Sequence, residues 1–175
     1  LPSSISTPIT TVSNYTSQGY RGLALCLKLP FEWAYGMGSS FKIMKDFSRW
    51  FNIPLSSIEV SYPVRMQAEF GIGAYAQWHT IFPWLASDYT WIGAVLIVSL
   101  LIYYWGKSWR ELLILNNLPA LLMFAHLCVM VVYIPCNNQL FQTRSSIVST
   151  LVIFVIWFLF HGRDSKESNI GGSNA

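Results

Sequence analysis

Residues 89–106, 112–134 and 145–161 contain no Asp, Glu, Lys or Arg, and each is dominated by aliphatic and aromatic side chains. Each run fits the roughly 17 to 25 residues that cross a hydrocarbon core as a helix. Lys107, Ser108, Trp109, Arg110 and Glu111 separate the first two, and a connection that short predicts an antiparallel hairpin. Pro135 marks the far end of the second run, because its ring cannot continue a helix regularly. A polar loop ending at Arg144 leads into the third. The chain as a whole is 53% hydrophobic and only 11% charged, against about 25% charged in soluble domains, so the excess apolar surface needs lipid or a large partner. Residues 1–88 differ from the rest. They carry Arg21, Lys28, Lys42, Lys45, Arg49 and Arg65 with Glu32, Asp46, Glu59 and Glu69 before Asp88. The reading is therefore all-α: three transmembrane helices preceded by a large, mainly helical extracytoplasmic region.

Lys and Arg near span ends set orientation. Lys107, Arg110, Arg163 and Lys166 flank one side, Arg144 alone the loop on the other, and none falls between Met66 and Asp88. Residues 1–88 and 135–144 are expected outside, with 107–111 and a disordered polar tail from 163 inside. Trp84 and Trp91 at one end of the first span, and Tyr103, Tyr104, Trp105 and Trp109 at the other, suit interfacial belts; ordinary helix packing accounts for them equally. The chain begins at Leu1 with no signal peptide before the first span. Preceding spans are expected in the intact protein, which makes this its carboxy-terminal portion and inactive alone. A net charge of +3 with scattered basic residues leaves no nucleic-acid footprint, and Cys26, Cys128 and Cys136 lack metal spacing. Neither a metal nor another cofactor is expected.

Residues 1–18, rich in Ser and Thr with Pro2 and Pro8, read as irregular. An amphipathic or interfacial helix is expected from Gly19 to Pro30, and a further helix over 41–51. Before the second, Tyr35-Gly36-Met37-Gly38-Ser39-Ser40 predicts a turn, and exposed backbone donors for a phosphate are the other reading. Pro63 and Gly71 bracket a two-turn helix. Arg65 in its first turn is set against the helix dipole: an anionic ligand would reconcile the two, and an ion pair with Glu69 would serve as well. His79 lies beside Trp78, where a structural hydrogen bond is the commoner role. Asp88 follows nine residues later, on the opposite side of any continuous helix at about 100° per residue, and is expected to cap the first span.

Ser-Gln-Gly-Tyr-Arg-Gly-Leu at 17–23, Tyr-Gly-Met-Gly-Ser-Ser at 35–40, Ser-Tyr-Pro-Val-Arg at 61–65 and Trp-His-Thr-Ile-Phe-Pro-Trp-Leu-Ala-Ser-Asp at 78–88 stand in the order seen in bacterial oligosaccharide repeat unit polymerases, and the chain resembles that group. Gly93 and Pro-Cys-Asn-Asn-Gln at 135–139 extend the resemblance. It implies part of a polytopic GT-C-like glycosyltransferase of the bacterial inner membrane, joining polyprenyl-diphosphate-linked oligosaccharides into surface polysaccharide such as the O-antigen of lipopolysaccharide. The related O-antigen ligases share the His79, Asp88 and Gly93 layout, although Tyr89-Thr90 replaces the glycine that commonly follows the acid, and ligase is the second reading. A non-enzymatic polysaccharide-binding subunit and an inactive fragment are the others. By this resemblance Arg65 and His79 are the catalytic candidates: a planar guanidinium on the departing diphosphate and an imidazole for the acceptor hydroxyl. Arg21, Tyr62, Gln77 and Trp78 are the candidate substrate-binding residues.

Overall fold

The computed structural model describes residues 3–52, 58–75, 79–138, 140–141 and 143–160. Six helices and no strand occur among them: α1 (Ser3–Cys26), α2 (Phe41–Phe51), α3 (Tyr62–Phe70), α4 (Ile81–Leu115), α5 (Leu118–Tyr133) and α6 (Arg144–Phe160). Gln77 and Trp78, together with the tail from 161, lie outside the described residues.

α4 and α5 form the expected antiparallel hairpin, but its turn is elsewhere. Lys107 to Glu111 continue α4 as helix, since long charged side chains cost little there and Lys107 meets Glu111 one turn on at 3.9 Å. The chain reverses at Asn116, which is left-handed (φ 48°), and Asn117, whose side chain accepts from the Ala120 N–H at 3.0 Å. Asparagine tolerates both roles, as αL residue and as N-cap. At the other end the Ile81 N–H donates to the Ile134 carbonyl at 3.0 Å, tying the start of α4 to the end of α5.

α6 closes a three-helix bundle. Trp157 donates to Glu111 at 2.7 Å and packs edge-on against Tyr104. His126 of α5 meets Thr150 of α6 at 2.7 Å, so this imidazole is a bond between helices. The tryptophans weighed as interfacial belts are in packing contacts: Trp105 stacks on Phe124 and donates to Cys128, and Trp91 donates to the Tyr62 hydroxyl.

Among the described residues one helix, α4, is long and apolar enough to cross a membrane, with α5 and α6 as shorter apolar helices. It is interrupted at Thr90, whose φ of 65° and ψ of 170° lie outside the helical region. The Thr90 hydroxyl accepts from the Gly93 N–H at 3.4 Å. The capping role expected of Asp88 therefore falls to Thr90, and Asp88 sits inside the preceding helical turns.

α1 departs most from expectation. The Ser/Thr-rich stretch is helical back to Ser3. Further along, small residues let α1 pack closely. A Cβ on Gly19 would come 2.1 Å from the Pro135 carbonyl oxygen, one on Gly22 would come 2.8 Å from His79 Nδ1, and Cys26 is fully buried against Tyr62 and Met66. Burial pushes the Cys26 thiol up to about 12. Tertiary contact of this kind outweighs weak local propensity.

Candidate functional site

The turn at 35–40 is built around Asp88. Tyr35 and Gly36 have positive φ (48° and 85°), and Gly38 has no room for a side chain, since a Cβ there would lie 2.5 Å from Ser87 Cβ and 2.7 Å from the Trp84 carbonyl. This geometry points the Gly36, Gly38 and Ser39 N–H groups inward. One Asp88 carboxylate oxygen accepts from Gly36 and Gly38 at 2.8 and 3.2 Å, and the other from Ser39 at 2.6 Å. The turn reading of the glycines holds. Its donors converge on an anion as a nest would, and that anion is the protein's own carboxylate. Next to it, Ser87 accepts from the Tyr62 N–H at 2.9 Å and donates to the Pro83 carbonyl, so α3 is held to α4 as well.

The same end of the bundle receives the 135–144 connection. Asn138, buried, donates to the Ser39 carbonyl at 3.3 Å, and Arg144 pairs with Asp46 of α2. Gly19 beside Pro135, Ser39 beside Asn138 and Asp46 beside Arg144 thus meet at the end of the helices away from the Asn116 turn.

Between these pieces lies a cleft of about 460 Å³, within the roughly 300–1,000 Å³ usual for ligand sites. Tyr75, Trp84, Phe41 and Phe141 supply its apolar walls, and Ser39, Lys42, His79, Asn137 and Thr143 its polar groups. The Tyr75 and Trp84 rings are 5.8 Å apart. Aromatic faces beside hydroxyl, amide and ammonium groups suit a polar ligand with apolar flanks.

The residues singled out from sequence are only partly brought together here. His79 lines the cleft, while Arg21, Tyr62 and Arg65 do not. Arg65 makes no pair with Glu69. It donates to the Pro30 carbonyl at 2.8 Å and pairs with Glu32 at 2.9 Å, gripping the connection between α1 and α2. Arg21 is exposed, in a groove lined by α1 with Thr11, Asn14, Ser17 and Gln18. Tyr62 is buried beneath Trp91. Lys42, Tyr75 and Phe141 were not singled out from sequence, since nothing in their local pattern separates them from packing or solvated residues.

His79 is 2% exposed. Its Nε2 lies 3.0 Å from the Gly73 carbonyl, which can only accept, so Nε2 carries the hydrogen. Nδ1 is then the basic nitrogen; it is buried, has no partner among the described residues, and faces Gly22. Burial pulls the His79 pKa down from its ordinary 6.5, because a desolvated site disfavours the imidazolium. The folded protein therefore binds this proton less readily than the unfolded chain. The resulting stability is fully present above about pH 6.5 and is lost as pH falls towards the folded value. Thermal unfolding in detergent should show a midpoint that drops below pH 6.5, and His79→Gln, which keeps a donor for Gly73 but cannot titrate, should lose that part of the pH dependence.

No family model, curated protein or solved structure matches the chain.

Proposed function

We propose that this chain is the part of a membrane-embedded oligosaccharide repeat unit polymerase that binds the glycan next to its polyprenyl diphosphate. The observation that carries the reading is the aromatic and polar cleft at one end of three apolar helices. Support for the membrane comes from the bundle's outward surface, where Ile92, Leu96, Leu113, Val132 and Leu151 are all more than half exposed. Apolar surface on that scale is not left in water. In the sequence, Lys107, Arg110, Arg163 and Lys166 on one side of the spans against Arg144 on the other support an outside cleft.

In this reading Tyr75 and Trp84 take the apolar faces of sugar rings, and Ser39, Asn137 and Thr143 exchange hydrogen bonds with their hydroxyls. Lys42 at the cleft meets phosphate as a point charge. Glycosyl transfer forms a bond from the acceptor hydroxyl oxygen to the anomeric carbon. The carbon–oxygen bond to the diphosphate breaks, its electron pair leaves with that group, and the acceptor hydroxyl's proton passes to the departing diphosphate, directly or through water. Arg65 holds the α1–α2 connection, and His79 fixes the strand of chain that carries Tyr75. Both act by position.

Tyr75 is 65% exposed, so Tyr75→Ala should fold normally. Losing a stacked aromatic costs about 2 kcal/mol, or about 30-fold in affinity. Titrating a lipid-linked repeat unit into the purified full-length protein should show that loss, and cells carrying the variant should make shortened surface glycans. Unchanged affinity together with normal chain length would overturn the assignment. Long glycans left unattached on carrier lipid would instead move it to a ligase.

A further inference from the structure

In α2 the one buried side chain is charged, and three large aromatic side chains are exposed. At about 100° per residue, Ile43, Met44, Phe47, Trp50 and Phe51 share one face, and Lys42, Lys45, Asp46 and Arg49 share the other. The buried residue is Asp46, while Phe47, Trp50 and Phe51 are 42%, 78% and 60% exposed. A helix on the surface of a water-soluble domain does the opposite.

We infer that α2 lies in the headgroup layer of an anionic phospholipid membrane, with Phe47, Trp50 and Phe51 entering the upper acyl chains and Lys45 and Arg49 meeting lipid phosphates. Charge supports an anionic surface. The single acid of α2 is taken up internally by Arg144, which leaves Lys45 and Arg49 as its outward charges away from the cleft, where Lys42 lies. Basic residues on one face and Trp and Phe on the other, with low net hydrophobicity, are the composition of helices that lie in this layer. Depth is supported by the same ion pair. Arg144 is the first residue of α6, and Val148, one turn further, opens the exposed apolar surface of that helix, followed by Leu151, Val152 and Val155. The tether therefore holds α2 where the apolar part of α6 begins. The inference rests on the reading of α4 to α6 as membrane spans, and it concerns a surface separate from the cleft.

Site-directed spin labelling of the full chain tests it. Cys128→Ala and Cys136→Ala remove the partly exposed thiols, and Cys26, fully buried, stays. Single labels at Lys45→Cys, Phe47→Cys, Arg49→Cys, Trp50→Cys and Phe51→Cys are compared with mid-span references at Leu96→Cys and Val155→Cys. The vesicles are of phosphatidylethanolamine and phosphatidylglycerol. Oxygen accessibility should exceed that of a water-soluble nickel chelate several-fold at 47, 50 and 51, with the reverse at 45 and 49. Exchanging phosphatidylglycerol for phosphatidylcholine should move 47, 50 and 51 towards the nickel-accessible side. Nickel accessibility at 47, 50 and 51 while 96 and 155 remain oxygen-accessible would overturn the inference and leave the spans intact. Immobile labels shielded from both reagents would overturn it in favour of a protein covering, from a second copy or another helix. Indifference to lipid charge would overturn the anionic requirement, and nickel accessibility at 96 and 155 would overturn the spanning reading itself.

Discussion

Asp88→Ala should lower stability by about 3–5 kcal/mol, because three buried backbone donors lose their charged acceptor together. Asp88 is only 3% exposed and accepts from three backbone N–H groups. Each buried donor left without a partner costs about 1–3 kcal/mol, and the three are not additive because the turn can relax together. Asp88→Asn should fall between alanine and wild type. Its single carbonyl oxygen can replace one carboxylate oxygen, but its NH2 group then faces a backbone donor. Ser87→Ala serves as the neighbouring control, since it removes one neutral acceptor for the Tyr62 N–H and should cost about 1–3 kcal/mol. Chemical unfolding in detergent, followed by tryptophan fluorescence, gives the ranking. Limited proteolysis should find the 35–40 turn newly cleavable in Asp88→Ala. A loss below 1 kcal/mol, with the turn still protected, would contradict this account of the carboxylate.

The second large effect is expected from a single methyl group. Gly19→Ala would place a Cβ 2.1 Å from the Pro135 carbonyl oxygen and 3.3 Å from its carbon. Both atoms are backbone, so no rotamer change relieves the contact, and either α1 or the 135–138 segment must move. Overpacking against rigid backbone costs about 1–3 kcal/mol and occasionally more, and about 3 is expected here. Two other glycines calibrate the result. Gly22→Ala meets the His79 ring, a side chain that can turn, and should cost less. Gly106 lies inside α4 with nothing within 4 Å of a Cβ, so Gly106→Ala should stabilise the helix by about 0.5–1 kcal/mol. Unfolding midpoints in the order Gly106→Ala, wild type, Gly22→Ala, Gly19→Ala are the expected result, and an equal effect at Gly19 and Gly106 would refute the close approach of α1.

How much of this was visible beforehand depends on whether the signal is local. Helix α3 was readable because proline and glycine act on their own backbone torsions: Pro63 starts it, and Gly71, with φ 69°, ends it. The turn at 35–40 and the helix over 41–51 were readable for the same reason. The hairpin turn lies not at the charged 107–111 segment but at Asn116-Asn117, because two consecutive asparagines before Leu118 and Pro119 carry the local capping chemistry and charged residues continue a helix at little cost.

The candidate site was less legible, since its residues come from distant parts of the chain. Lys42, Tyr75 and Asn137 meet in one cleft, and no periodicity links them. Arg65 and His79 were conspicuous in sequence because of their type, yet the partners they find are Glu32, the Pro30 carbonyl and the Gly73 carbonyl.

The sequence by itself determined an all-helical chain with a long apolar helix, through composition and the intrinsic backbone preferences of Pro, Gly and Asn. It also determined the amphipathic face of α2, because helical periodicity is a property of spacing alone. Only the tertiary structure decided that Asp88 fills the glycine turn and that the buried side chain of α2 is Asp46. Those outcomes depend on which groups are brought within hydrogen-bonding distance and which are left without cover, and chain spacing carries no record of either.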